Sequence, residues 1–566
     1  MDKDNRNYNV YFNTHTVTGI VISIGLFVCF FAGCFALFKD NINRWESNEA
    51  PLQYQTDIDY ERILAAVENE GYSLDGRNYT IQYNTIPVPH VNVRSQPLPT
   101  PKDTAHSDLK LSALEQLAQP INLNIDPVTY EQSALSTDTS ASQLGTFLNQ
   151  LHFFAQIPGV GMMLASLVSL FFLFAIVTGV IVHWKKIISN FFTFRLKSSI
   201  KNLWTDAHTA LGIIGLPFQF MYALTGAFFG LIIVIFIPYT FVLFGGDFNK
   251  TAGYLSPSFK SYESAGESVL ERKNINGLVD NTLAELGKPN IERVRVNLFN
   301  YNDKNAHLSV EVRVDDHTLF YNVAINIYRL TDGKLVYQKN LEDVSYVENV
   351  AETVSKLHFA KYGGYFMKAI YFILALITCF VIISGVMVWL VAREKKTYAH
   401  KAKFNRSVGA IYIGVCLGLY PAIALFFCLV KLFPPEIDGR FGIMSNIFFL
   451  SWLAFIIYAY FIKNTFSISR QALILAGGLG FLVPILNGLQ SGLWPWKSLN
   501  AGYVDSFSVD VSWIIMSVIT LLATWKARPV GKKRKSKEVI KENPQDISES
   551  VVLGKPVFNL NATPGK

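Results

Sequence analysis

The chain has 566 residues, 50% of them hydrophobic and only 16% charged, with a formal net charge of +7. Its apolar residues fall in blocks of about 20, the length that an ~30 Å hydrocarbon layer requires, which excludes an ordinary soluble globule. The positive charge sits in short basic stretches beside those blocks, so membrane orientation accounts for it and nucleic-acid binding does not.

In chain order, the first apolar block covers about 16–38, after Thr14-His15, and runs through Phe35-Ala36-Leu37-Phe38 to Lys39-Asp40. It is too long for a signal-peptide core and has no clean small-x-small cleavage site, so it reads as a retained span. The polar segment 39–157 follows. There Ile58, Ile63, Leu64 and Val67 predict a helix over 56–71, and Tyr79-Thr80-Ile81-Gln82-Tyr83 alternates as a strand does. Spans two and three are expected at 158–182 and 210–243, the third long enough to tilt or to run past the bilayer. A second polar segment, 244–365, carries strand patterns at 294–298, 308–312 and 323–328, with a turn at Thr331-Asp332-Gly333-Lys334 before Leu335-Val336-Tyr337. The fourth span is expected at 366–392. Four more follow at 408–432, 442–463, 471–492 and 509–526, and a basic tail, 528–566, is expected to be disordered. The fold class is an integral membrane α-helical bundle of about eight spans, with two small α+β domains inserted.

Basic residues cluster after span two (Lys185, Lys186, Arg195, Lys197, Lys201), after span four (Arg393, Lys395, Lys396, Lys401, Lys403, Arg406) and in the tail. They place those loops and both termini in the cytoplasm and the two polar segments outside, in the periplasm of a Gram-negative cell.

Two stretches of chain read alike. His15-Thr-Val-Thr-Gly19-Ile20 matches His208-Thr-Ala-Leu-Gly212-Ile213, and Leu151-His152-Phe153 matches Leu357-His358-Phe359. The spans that follow end alike, with Thr178-Gly179-Val180 and Ser384-Gly385-Val386. The unit of helix, outer segment and helix is therefore used twice in the same direction.

Histidine is costly at a bilayer edge and is a functional candidate there. His15 and His208 fall at the cytoplasmic ends of their spans, His152 and His358 near the outer ends. Two imidazoles from facing helices suit the axial positions of a six-coordinate haem, and two haems at different depths would form an electron path. The alternative is interface anchoring or proton handling without a metal. Gly19 and Gly212, one turn after their histidines on the same face, would leave a gap for a flat macrocycle. Gly226, Gly179 and Gly385 permit close approach of a ring or a helix. His183 could compete as a cytoplasmic ligand. The repeat sets Trp389 opposite it, which favours interfacial anchoring beside Trp184. His90, His106, His307, His317 and His400 are expected on the surface. Cys29, Cys34, Cys379, Cys416 and Cys428 lie in apolar blocks without a CxxC, as packing residues rather than disulfide or zinc partners. No Walker loop, GxGxxG after a strand, GxSxG or HExxH motif is evident.

These features together resemble the PepSY-associated transmembrane family of bacterial inner-membrane proteins, over about residues 10–395. The resemblance rests on His15-x3-Gly19, Leu151-His152, His208-x3-Gly212 with Ala223-Leu224-Thr225-Gly226, and Leu357-His358 with Ser384-Gly385. Ile327-Tyr328-Arg329-Leu330-Thr331-Asp332-Gly333 resembles the close of a PepSY-type domain. The resemblance implies reduction of ferric siderophores in the periplasm, with haem b in the bundle. His15 and His208 would hold the cytoplasmic haem, and His152 and His358 the outer one. The electron donor, a quinol or a cytoplasmic reductase, stays open. The spans after residue 405 exceed the minimal family pattern, and the fused flavin-reductase domain of some relatives is lacking. Two other readings stand beside this one: a non-enzymatic membrane protein that binds a periplasmic partner, and a transporter. Against transport, few buried charges are expected, with Lys431 and Lys463 near span ends and free to snorkel. Arg44, Trp45, Trp494 and Trp496 are read as interfacial anchors or, failing that, as lining for a chelate site. The expected partners are membrane lipid and a ferric siderophore or other ferric chelate.

Overall fold

The computed structural model describes residues 3–48, 57–84, 90–95, 120–132, 144–192, 195, 200–255, 260, 262–269, 271–287, 290–314, 321–393, 400–434 and 437–527. The basic tail, His106 and His317 lie outside the described residues, as does the side chain of His90.

The principal helices are α1 (Lys3–Ala36), α2 (Lys39–Ser47), α3 (Tyr60–Asn69), α4 (Leu144–His152), α5 (Gly161–His183), α6 (Ile200–Ile214) and α7 (Leu216–Phe244). They continue as α8 (Ile275–Glu285), α9 (Tyr346–Phe359), α10 (Gly364–Ala392), α11 (Ala402–Leu432), α12 (Arg440–Ile462), α13 (Thr465–Ser491) and α14 (Val504–Lys526). Eight of these, α1, α5, α7 and α10 to α14, are long and apolar enough to cross a membrane. The protein is a multi-pass membrane protein, and lipid is its solvent over those helices.

Two boundaries differ from the sequence pattern, and both bear on the site. Helix α1 begins at Lys3, so His15 lies inside a continuous helix instead of at its start. Extending a formed helix gains a hydrogen bond for each residue fixed, and nothing between Lys3 and Thr14 breaks it. The third apolar block is divided at Gly215 into α6 and α7. Pro217 has no N–H for the preceding turn and seats naturally in the first turn of α7. His208 therefore rides on its own helix.

The first four spans form one group, with α1 against α5 and α10, α5 against α7, and α6 against α10. Helix α11 lies at the centre of the second group, between α12 and α13. Gly414 and Gly418 let it approach closely: a Cβ on either would lie 2.7 Å from Ala459 or from the Phe455 ring of α12.

The two groups are joined at one end by buried charge. Trp45 of α2 is fully buried, and its indole N–H donates to Asp510 Oδ1 of α14 at 2.8 Å. The Asn487 amide donates to the other oxygen of Asp510, also at 2.8 Å. Lys431 Nζ donates to the Trp45 carbonyl and to Asn48 Oδ1, both at 2.7 Å. Arg440 reaches Glu46 at 3.3 Å, and Arg44 reaches Asp505 at 3.3 Å. Pairing offsets the desolvation of these groups. Three expectations are corrected here. Lys431 does not snorkel, because its donors are met inside. The spans carry buried carboxylates, Asp505 and Asp510. Arg44 and Trp45 tie α2 to the last four spans, and the fully buried Trp45 neither lines a chelate site nor anchors at an interface. Trp494 and Trp496 stack on each other with ring centroids 5.5 Å apart.

Beside the same end of the bundle stands a sheet. The first polar segment supplies β1 (Tyr79–Asn84), β2 (His90–Ser95) and β3 (Ile121–Ile125). The second supplies β4 (Ile291–Phe299), β5 (His307–Val314), β6 (Val323–Arg329) and β7 (Leu335–Lys339). The order is β3-β2-β1-β4-β5-β6-β7, antiparallel throughout. Strand β1 pairs with β4 from Tyr79↔Leu298 to Gln82↔Arg295, so the two inserts are halves of a single α+β sheet domain. Each half alone would leave an open row of backbone donors and acceptors at that edge, which the pairing satisfies.

Helices α3 and α8 cover one face, with Ile63, Leu64, Val67, Ile275 and Val279 in one core with Ile81, Val93, Val296 and Val310. They cap each other: Tyr60 N–H donates to Asn276 Oδ1, and Ile275 N–H to Glu61 Oε1, each at 2.8 Å. His307, expected on the surface, is buried with its ring 3.9 Å from that of Tyr262. Its Nδ1 donates to the Asn305 carbonyl at 2.9 Å, which satisfies the polar edge that burial would otherwise strand.

Candidate cofactor-binding site

The structure brings the four repeated histidines together as two pairs. His15 of α1 and His208 of α6 have ring centroids 6.2 Å apart. His152, the last residue of α4, and His358, near the end of α9, are 5.9 Å apart. The second pair lies toward the sheet and the first at the far side. His152 meets α1 at Cys29, and the rise of α1 from His15 to Cys29 is about 20 Å at ~1.5 Å per residue.

Each imidazole is oriented through Nδ1. That atom lies 2.8 Å from the Ala175 carbonyl in His15, 2.6 Å from the Cys29 carbonyl in His152, and 3.0 Å from the Val381 carbonyl in His208. A carbonyl only accepts, so Nδ1 carries the proton and Nε2 keeps its lone pair. In His358, Nδ1 is 2.9 Å from Thr225 Oγ1, whose own proton goes to the Met221 carbonyl at 2.8 Å. The imidazole is the donor there too. Four rings are thus held through Nδ1, leaving Nε2 as a nitrogen able to bind a metal, and metal-ligating histidines are oriented by neighbouring groups in this way.

Helix carbonyls are normally shielded by side chains one turn on. At three of the four positions that residue is glycine. A Cβ on Gly179, one turn after Ala175, would lie 2.9 Å from His15 Cε1. On Gly385, after Val381, it would lie 3.0 Å from His208 Cε1, and on Gly33, after Cys29, 2.8 Å from His152 Nδ1. Gly226 faces the fourth ring, with a would-be Cβ 3.8 Å from His358 Cε1 and 2.7 Å from Ser169 Oγ. Gly33 was missed from sequence, although the step from Gly33 to Gly226 equals that from His15 to His208. The accepting carbonyls have no residue-type signature and could not have been found that way.

The two pairs differ in surroundings. The far-side pair opens on a cavity of about 590 Å³ lined also by Gly19, Gly212, His183, Lys201 and Arg393. A Cβ on Gly19 or Gly212 would meet nothing within 4 Å, so both glycines border open space. His183 stands in this wall at the end of α5. The sheet-side cavity is about 200 Å³. Tyr222, Phe229 and Phe359 crowd its His358, with ring centroids 5.0, 5.1 and 5.2 Å away. Leu26 and Phe172 line both cavities.

A metal bound by two imidazoles at about 2 Å each would set their centroids about 6 Å apart, and both pairs meet that. Cofactor pockets occupy roughly 300–1,000 Å³. The far-side cavity falls within that range. The sheet-side cavity falls below it, so a macrocycle there requires the surrounding aromatic rings to turn. Among the described residues no group of three or more His, Cys, Asp or Glu is placed to hold a bare ion. Two facing imidazoles are the kind of pair that could take the two axial positions of a haem.

The sequence model described as the PepSY-associated TM region matches residues 12–392, which include all four histidines and end before α11. The chain is 22% identical over 328 residues to an uncharacterized protein of Pseudomonas aeruginosa, PA4219, an overlap of 56% of this chain and 79% of that protein.

Proposed function

The chain belongs to the PepSY-associated TM family, and on that footing we propose that it is a haem-containing inner-membrane oxidoreductase, passing single electrons from the cytoplasm to chelated ferric iron in the periplasm. The observation that carries this reading is the pair of imidazole pairs about 20 Å apart along α1, each ring bonded through Nδ1 with Nε2 left for iron. His15 and His208 would hold one haem b and His152 and His358 a second. When bound, each would supply a one-electron ferric/ferrous couple. The carbonyls of Ala175, Cys29 and Val381 and the Thr225 hydroxyl fix ring orientation and make Nε2 more basic. Gly19 and Gly212 leave room for a flat ring, while Lys201 and Arg393 put positive charge in the same wall, matched to carboxylates. Lys185, Lys201, Arg393, Lys401, Lys403 and Arg406 favour a cytoplasmic position for the far side, and thus a periplasmic one for the sheet. A ferric siderophore is the substrate this reading favours, because such chelators hold Fe(II) far more weakly than Fe(III) and reduction releases the metal.

The test is the visible spectrum of the full chain purified in detergent from haem-replete cells. The expected result is a b-type spectrum with a sharp Soret band, and loss of one haem equivalent, not both, in His152→Ala or His358→Ala. A colourless protein from those cells sinks the proposal.

A further inference from the structure

The sheet has a second face, opposite the one covered by α3 and α8. Paired positions across β4 and β5 place Arg293 opposite Arg313, Arg295 opposite Glu311, and Asn297 opposite Ser309. These side chains alternate with the core residues Val294, Val296, Val310 and Val312, so they share the second face. Gln82 and Thr80 extend the row on β1, and Arg94 on β2.

Positive charge dominates the strands of this face. Arg94, Arg293, Arg295 and Arg313 stand there with the strand carboxylate Glu311 and with Glu292 at the bulge beside Arg293. Glu311 is shared, 3.5 Å from Arg293 and 3.4 Å from Arg295. Helix α9 adds Glu352, 3.0 Å from Arg313, and the buried Lys356. Like charges directly opposite on paired strands repel. Arg293 and Arg313 are such a pair, and burial together with the neighbouring Arg295 pulls the Arg293 guanidinium below its ordinary value.

A second observation points to a ligand. Asn297 is 4% exposed and Ser309 is fully buried, yet the Asn297 Nδ2 and the Ser309 Oγ have no hydrogen-bond partner among the described residues. Both can donate to an oxygen. A structural salt-bridge lattice would leave neither an excess of guanidinium nor two idle donors one rung away. Oxyanions answer both, since the planar guanidinium fork matches paired oxygens.

The face is also tied to the sheet-side imidazole pair. Helix α9 touches it at Glu352 and carries His358 about one and two-thirds turns on, about 9 Å of helix rise.

We propose that this face binds the iron complex, and that the complex is an anion whose chelating oxygens are catecholate or carboxylate. Arg293, Arg313 and Arg295, each partly exposed, hold its charge, and the unused donors of Asn297 and Ser309 lie one rung behind them. That a ferric chelate comes to this face rests on the reductase reading; that the face selects an anion does not.

The experiment uses the full chain in detergent and two redox-inert probes of similar size: trianionic gallium(III) tris-catecholate and neutral gallium(III) tris-hydroxamate. Binding is measured by equilibrium dialysis at low and moderate salt. The expected result is tighter binding of the anionic probe by about tenfold or more, weakened by salt, since tenfold needs only about 1.4 kcal/mol. The Arg293→Gln/Arg313→Gln variant should lose that preference, and Arg293→Lys/Arg313→Lys should keep most of it. Equal affinity of the unmodified chain for both probes overturns the proposal, whatever the variants do. So does an unchanged preference in the Gln variant. Because gallium is not reduced, the two readings fail separately. A colourless protein that keeps its arginine-dependent preference refutes the reductase reading alone. A haem-bearing protein without the preference refutes only this one.

Discussion

The far-side and sheet-side imidazole pairs have almost the same ligand chemistry and very different space. In both, Nδ1 is satisfied and a glycine lies against each ring. Yet one pair opens on about 590 Å³ and the other on about 200 Å³. The cause is local. His15 and His208 are followed one turn later by Gly19 and Gly212, on helices that continue past them. His152 and His358 end short helices and are followed directly by Phe153 and Phe359. A duplicated ligand set can thus be kept while its surroundings diverge, because ring orientation depends on a few contacts and cavity volume depends on every neighbour.

The strongest way to break this comparison is to remove the space and leave the ligands. Gly19→Phe puts a ring into the open far-side cavity without touching the imidazoles. On the two-haem reading, the expected outcome is loss of about half the bound haem while the chain still folds, because the added ring has room. Full retention of haem in that variant would show that the cavity is not its seat.

The converse change should have a smaller effect. Phe229→Ala enlarges the sheet-side cavity toward the pocket sizes that hold cofactors. On the two-haem reading, haem at that pair should then dissociate more slowly, measured by transfer to an apoprotein acceptor, while the far-side rate stays as it was. Cavity creation should lower the melting temperature. An unchanged or faster sheet-side rate would argue that the aromatic cluster forms part of the haem contact and does not obstruct it.

The smallest expected effect separates the two ends by pH. Burial pulls the Glu61 carboxyl up, but hydrogen bonds from Arg272 and the Ile275 N–H outweigh it and hold it below its ordinary 4.5. A group depressed in the folded state contributes stability above its unfolded value and loses it as pH falls through the folded value. The sheet domain should therefore weaken below about pH 4.5, with the α3–α8 caps first, as hydrogen exchange at Tyr60 and Ile275 would report. Glu61→Gln should be less stable near neutral pH and should flatten that acid dependence. Equal acid sensitivity in the variant would assign the effect to other carboxylates.

Much of the fold was legible because its signals are local. The apolar blocks correspond to the eight membrane-length helices. Alternation marked the β4, β5 and β6 strands, and Ile63, Leu64 and Val67 marked α3. The pairing of histidines by depth drew on an internal repeat, in which matching motifs fall at matching helix positions. Gly179 and Gly385 were legible for the same reason. Gly33 was not, since its neighbours in α1 have no counterpart as distinct as Thr225-Gly226. Lys431 was misjudged, and the buried Asp510 was passed over, because proximity to a span end in sequence says nothing about which partner waits there.

The sequence by itself determined the membrane character, the repeated helix–insert–helix unit and the four histidines within it, since hydrophobic period and residue type are properties of short stretches of chain. Only the tertiary structure decided that the two inserts close into one sheet through β1 and β4, that α2 binds the last four spans through buried charge, and that one imidazole pair has room beside it while the other is walled by aromatic rings. Those outcomes depend on backbone carbonyls, strand edges and side chains far apart in the chain, whose meeting no local pattern records.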